Sequence, residues 1–209
     1  MGIAREGYPL ILGSAAVSVG LWAVGWAKAA AVAGIASAAI AAFFRDPERA
    51  IPAGDGVVVS PADGKVVSIT PVNGETIFSK AVTRVSIFLS PLDVHINRMP
   101  VAGTVEFVRY QPGKFLAAYK EDSSSENEQN ALVIKSEGGA QLGVVQIAGV
   151  IARRIICHAK AGDRFRRGDR FGLIMFGSRT DTYLPEGFRL EVVEGQRVKG
   201  GETVLGRFV

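Results

Sequence analysis

The chain has 209 residues, 48% of them hydrophobic, and a net charge of +4. That length carries one good core with an appendage, and the basic balance favours anionic partners. A single cysteine, Cys157, excludes an internal disulfide and argues against a cysteine-built zinc site. Aromatic and basic residues are not interleaved as an RNA-binding surface requires, so the reading is acidic lipid and no nucleic acid.

The first expected element is a helical hairpin. Residues 9–27 carry no charge, and beyond Lys28 the chain is apolar again over 29–44. A helix needs about 20 apolar residues to cross the hydrocarbon core. The first run barely reaches that length and the second falls short. Residues 1–50 therefore read as an α-helical membrane hairpin turning near Lys28, either spanning or dipping into one leaflet. Trp22 and Trp26, four apart, fall on one helical face that suits a membrane interface or packing on the second helix. Arg45 and Arg49 directly after the second run place the following domain on the cytoplasmic side of the cell membrane. Asp46-Pro47 reads as a turn or helix start at the boundary.

Residues 51–209 read as a β-rich domain. Short β-branched runs alternate with Gly, Pro, Asn and Asp, and the strands expected are 57–60, 65–70, 82–89, 103–110, 131–135, 142–151, 154–158, 171–176, 188–193 and 203–208. Only 114–121 looks helical, with a polar loop over 122–130. The fold class is mainly β, an antiparallel sandwich or barrel-like domain behind the N-terminal hairpin. Residues 160–169 and 193–202 share the pattern x-G-x-x-apolar-x-x-G, as do turns in hybrid-barrel carrier domains. No lysine sits at a hairpin tip to carry a group.

Bases and nucleophiles are few. His95 lies in Ser90-Pro91-Leu92-Asp93-Val94-His95, a proline-stiffened loop after an apolar strand, where a general base or a structural histidine is at home. His158 reads as structural. Asp63, in Ser60-Pro61-Ala62-Asp63-Gly64, suits a hairpin turn, its rarer use being a carboxylate that orients an imidazole. Gly177-Ser178 places a hydroxyl after the buried run 171–176. No histidine or cysteine spacing suggests a metal site.

Taken together, SPADGKV, FLSPLDVHINRMPVAGTV, PGKF and FGLIMFGSRTD, in that order after FFRDPER, resemble the short prokaryotic form of the phosphatidylserine decarboxylases. The resemblance runs from Phe43 to the C-terminus. It implies a proenzyme that cuts itself between Gly177 and Ser178 into a large chain, 1–177, and a small chain, 178–209, with Ser178 becoming a pyruvoyl group. On this resemblance Ser178 Oγ attacks the Gly177 carbonyl, His95 takes the proton and Asp63 orients His95. The pyruvoyl ketone would then form a Schiff base with phosphatidylserine and accept the electrons released with carbon dioxide, giving phosphatidylethanolamine.

The chain departs from longer relatives at Arg98, where they carry a second histidine, and at Gln129, where relatives commonly carry arginine. One histidine would then serve both steps, unless Arg98 or a water helps, and the 127–129 loop has no assigned role. Arg45, Arg49, Lys114 and Arg179 are candidates to meet the lipid's phosphate and carboxylate. Archaetidylserine or a soluble amino acid as substrate, and an uncut membrane-tethered carrier or scaffold, are the alternative readings. Oligomeric state stays open, a homodimer included.

Overall fold

The computed structural model describes residues 2–72, 81–116, 126–149, 154–175 and 177–208. The chain divides into two compact units, Met1–Glu48 and Arg49–Val209.

In the first unit β1 (Gly2–Ile3) pairs with β2 (Arg45–Asp46), so Asp46 ends a strand rather than opening a turn or helix. Between them α1 (Tyr8–Ala23) and α2 (Ala27–Phe43) form the expected hairpin. Two serines tie the helices: Ser18 Oγ donates to the Ala30 carbonyl (2.7 Å) and Ser37 Oγ to the Ile11 carbonyl (3.2 Å). The turn falls before Lys28, at Gly25, whose φ of +82° belongs to the left-handed region that glycine tolerates. Trp22 lies on α1 and Trp26 is the N-cap of α2, so they do not share a helical face; both are exposed at the hairpin tip. Helices of 16 and 17 residues are about 24 and 26 Å long, short of the roughly 30 Å hydrocarbon core. No described helix is long and apolar enough to cross a membrane.

The second unit holds β3 (Val57–Val59), β4 (Gly64–Val72), β5 (Val82–Leu89), β6 (Ile96–Arg98), β7 (Gly103–Gln111), β8 (Gln129–Ser136) and β9 (Gln141–Ile147). It continues with β10 (Arg154–Cys157), β11 (Arg164–Phe165), β12 (Arg170–Met175), β13 (Ser178–Pro185), β14 (Phe188–Leu190), β15 (Arg197–Val198) and β16 (Val204–Phe208). All these strands pair antiparallel, in one eight-stranded sheet, β11-β7-β8-β9-β13-β5-β4-β15, and two three-stranded sheets, β10-β12-β6 and β14-β16-β3. The barrel alternative is not realised, because the sheets stay open. Val66, Ile87, Leu132 and Val144 of the large sheet share one buried core with Val58, Phe171 and Leu205 of the small ones.

Each expected strand has a counterpart, with shifted ends. The expected 114–121 helix and 122–130 loop fall partly outside the described residues. Within them, Lys114 forms an isolated bridge with Asn127, and Gln129 and Asn130 already belong to β8. The Asp63 segment is not a hairpin turn, because β3 and β4 lie in different sheets and residues 60–63 cross between them. The principal strand that the hydrophobic pattern misses is β13.

The architecture is built twice. Ser60-Pro61-Ala62-Asp63-Gly64-Lys65-Val66 and Met99-Pro100-Val101-Ala102-Gly103-Thr104-Val105 both read x-P-x-x-G-x-V and lead into nine-residue strands, β4 and β7. Each strand bulges at the same place, between Val66 and Ser68 of β4 and between Val105 and Phe107 of β7. The two similar turn segments supply β15 and β11, one at each edge of the large sheet, pairing Val198 with Gly64 and Phe165 with Gly103. Glycine is required at 64 and 103, where a Cβ would collide with the carbonyl oxygens of Phe88 and Lys135. The sheet β10-β12-β6 repeats β14-β16-β3, bulge included. One copy is thus residues 90–177, inserted between β5 and β13 of the other.

Candidate active site

Strand β13 reads Ser-Arg-Thr-Asp-Thr-Tyr-Leu-Pro, yet its first seven residues are buried. It stands at the centre of the large sheet, between β5 and β9, and its two faces treat their polar side chains differently. On one face Arg179 forks onto Asp181, Nε and Nη2 each 2.8 Å from a carboxylate oxygen. This fixed, bidentate geometry is what makes burial of both charges tolerable. Tyr183 shares that face, and burial together with the Asp181 charge pushes its phenol up to about 12.

On the other face lie Ser178, Thr180 and Thr182, each two residues apart. Thr180 belongs to a buried polar row across three neighbouring strands: Asn130 of β8 donates to Gln146 of β9 (3.3 Å), and the register sets Gln146 against Thr180. Asn97 of β6 closes this row from the small sheet. Its Oδ1 accepts from Gln146 (2.9 Å) and its Nδ2 donates to Thr180 Oγ1 (3.2 Å). Thr180 and Ser178 point the same way, two residues apart on β13, and Asn97 follows His95 by two residues. One hydrogen bond therefore ties the segment bearing His95 to the strand that Ser178 opens.

Ser178 is fully buried, paired with Leu89 at the end of β5. Its hydroxyl has no hydrogen-bond partner among the described residues. The residue before it, Gly177, has open space where a Cβ would stand. The hydroxyl thus ends no buried strand, as the apolar run 171–176 suggests; it begins the next one, and Phe176 lies outside the described residues.

His95 is buried at the close of a stapled turn. The Ser90 N–H donates to Asp93 Oδ2 (2.8 Å), the Asp93 N–H to the Ser90 carbonyl (2.9 Å), and His95 Nδ1 lies 3.0 Å from the Asp93 carbonyl oxygen. An Nδ1–H donating to that carbonyl makes Nε2 the basic nitrogen. The Ile174 N–H donates to the His95 carbonyl (3.4 Å), fixing the loop on β12, four residues ahead of Ser178.

Asp63 is held by groups the sequence reading did not pair with it. Arg49 Nη2 reaches both carboxylate oxygens (2.8 and 3.0 Å), and the Gly200 N–H donates to Oδ1 (2.8 Å). Burial pushes the Asp63 carboxyl up from its ordinary value, against the pull of Gly200 and Arg49.

The four basic residues considered for lipid fare differently. Arg179 and Arg49 are buried in ion pairs with Asp181 and Asp63, and so are not surface cations. Arg45 donates to the Ala42 carbonyl at the end of α2, and exposed Lys114 pairs with Glu126. Arg98 is buried and donates to the Gly168 carbonyl (3.0 Å). The loop without an assigned role has a clear anchor: buried Asn127 bonds the backbone of Leu116 at both N and O and donates to the Ala148 carbonyl (2.7 Å).

The sequence reading missed Asn97, Gln146 and Asp93. Asn97 and His95 sit in one quoted motif, and their i, i+2 spacing is the signal that could have joined them.

The family model for phosphatidylserine decarboxylase matches residues 36–206. The phosphatidylserine decarboxylase proenzyme of Symbiobacterium thermophilum is 48% identical over 98% of this chain and 95% of its own length. Those of Geotalea daltonii and Granulibacter bethesdensis are 45% and 49% identical, over 98% and 94% of this chain and 95% and 82% of theirs. Motif order, a buried serine after an uncrowded glycine, and identity along nearly the whole length agree, and the chain belongs to the phosphatidylserine decarboxylase family.

Proposed function

We propose that this protein is a self-processing decarboxylase of phosphatidylserine that forms its own pyruvoyl group at Ser178. The observation that carries this reading is the buried, unpartnered Ser178 hydroxyl directly after Gly177. In the cut, Ser178 Oγ bonds to the Gly177 carbonyl carbon as the Gly177–Ser178 amide opens, turning the amide into an ester. Elimination across Cα and Cβ of Ser178 then releases Gly177 as a carboxylate, and the dehydroalanine left behind hydrolyses to pyruvoyl and ammonia. His95 Nε2 takes the hydroxyl proton, its ring oriented by the Asp93 carbonyl. Asp63, with Arg49 and Gly200, supports the segment of residues 60–64, whose Pro61 carbonyl accepts the Arg98 N–H (2.9 Å).

The residues fit the group, since they supply the hydroxyl, a base and an unhindered carbonyl. Once formed, a pyruvoyl ketone supplies an electron sink for loss of carbon dioxide from an amino acid headgroup. His95 holds the proton that product formation consumes, and the burial of its pocket keeps water from competing.

The apolar hairpin, with Trp22 and Trp26 exposed at its tip, suits a helix pair seated in one leaflet at the cytoplasmic face of the cell membrane. That location brings the enzyme to a lipid substrate, and favours phosphatidylserine over free serine.

Intact-mass measurement of purified protein tests this reading. Two chains are expected, breaking at 177–178, with carbon dioxide released from phosphatidylserine vesicles and not from free serine. Ser178→Ala should stay whole and inactive, and Ser178→Cys should cut slowly through a thioester. Carbon dioxide release by Ser178→Ala would overturn the assignment.

A further inference from the structure

The duplication gives the catalytic residues counterparts. The Phe208 N–H donates to the Gly56 carbonyl (3.0 Å) as the Ile174 N–H does to His95, so Gly56 stands where His95 does. The shared x-P-x-x-G-x-V motif sets Ala102 opposite Asp63. The Ser136 N–H donates to the Ala140 carbonyl (2.8 Å) at the sheet position where Leu89 meets Ser178, so Ala140 stands for Ser178. Every reactive side chain has been reduced to hydrogen or methyl. The φ of +65° at Gly56 would strain a histidine there.

This second locus is hollow. Gly56, Ala102 and Ala140 all line one cavity of about 640 Å³. Its wall carries two cations, Arg166 and Arg167, and two anions, Asp55 and Glu137, beside apolar Val101 and Phe208. Arg167 is braced by bonds from Nη1 to the Gly54 and Val57 carbonyls (2.9 and 3.1 Å). Its buried Nε, and the buried Ser136 Oγ in the same wall, have no hydrogen-bond partner among the described residues. The charged side chains of the wall are what a zwitterionic ligand would meet.

We propose that this cavity is a second, non-reacting site for a phosphodiester headgroup carrying an amine. The phosphate lies against the Arg166 and Arg167 guanidiniums, and the ammonium faces Glu137 or Asp55. A volume of this size holds a headgroup and the start of its glycerol chains. The inference rests on the reading of the catalytic site as a phosphatidylserine site.

Calorimetric titration of the full-length protein with dihexanoyl phosphatidylethanolamine, below its micelle concentration, tests this inference. Two equivalents per chain are expected. Ala102→Trp, which fills the cavity, should leave one. If that variant is poorly folded, Arg166→Glu at an exposed position should weaken the second site about tenfold, or 1.4 kcal/mol. One equivalent in the wild-type protein, or two that neither variant alters, would overturn the proposal. Inorganic phosphate displacing the second equivalent as well as the lipid does would overturn the headgroup assignment. A protein that stays uncut and inactive yet binds at the cavity would defeat the catalytic reading alone, whereas an active protein with one equivalent would defeat only this one.

Discussion

At Gly177 packing and chemistry can be separated. No described atom lies within 4 Å of the position a Cβ would take, so Gly177→Ala should leave the thermal midpoint within about 0.5 kcal/mol of wild type. A methyl beside the attacked carbonyl should nevertheless slow self-cleavage about tenfold, equal to roughly 1.4 kcal/mol of barrier. Chain-cutting half-times on gels, beside melting curves, check both. His95, Asp63 and Ser178 were singled out from the order of several motifs taken together, since none of those motifs is specific alone. What stayed hidden was their support: the Asp93 carbonyl that orients His95 is backbone, and Arg49 and Gly200 reach Asp63 from 14 and 137 positions away. A sequence shows none of these contacts.

At the scale of elements, β13 depends on polar pairs that replace an apolar stripe. Thr180→Val should cost about 1 kcal/mol and Asn97→Ala roughly 1–3 kcal/mol, the larger loss because it removes two buried hydrogen bonds, to Gln146 and to Thr180. Both should slow cleavage, and a double-mutant cycle should return a coupling of about 0.5–1.5 kcal/mol. Additive losses would show that the bond does not align the two segments. The same strand sets a pH limit. With Tyr183 raised to about 12, the unfolded chain ionises first, near pH 10, so stability is complete below that pH and falls as pH rises toward 12. The loss is on the order of 2–3 kcal/mol, and Tyr183→Phe should abolish that slope in denaturant titrations at pH 9–12. The period-2 pattern located the apolar strands well. It failed at β13 because burial there is purchased by ion pairing and hydrogen bonding, which leave no hydrophobic trace.

For the whole molecule, the inserted copy bears on whether the chain would stay together if it were cut at 177–178 as proposed. Residues 178–209 hold β13 along all eight residues of β5 and five of β9, and place β15 and β16 on β4 and β3. The two chains should therefore elute as one particle after cleavage and separate only in denaturant, which size exclusion followed by mass measurement checks. In the sequence the duplication shows only as two similar turn segments and the x-P-x-x-G-x-V pair, since similar sheets need similar turns far more than similar side chains.

That the central strand β13 is made after both of its neighbours, β5 and β9, bears on synthesis. Until residues 178–185 leave the ribosome, β5 and β9 present open backbone edges to each other across a missing strand. The sheet can be completed only after residues 178–185 are made, and the nascent chain meanwhile exposes the kind of edge that recruits foreign strands. If the chain cuts itself as proposed, cleavage would report that Ser178, the opening residue of that strand, is seated beside Leu89.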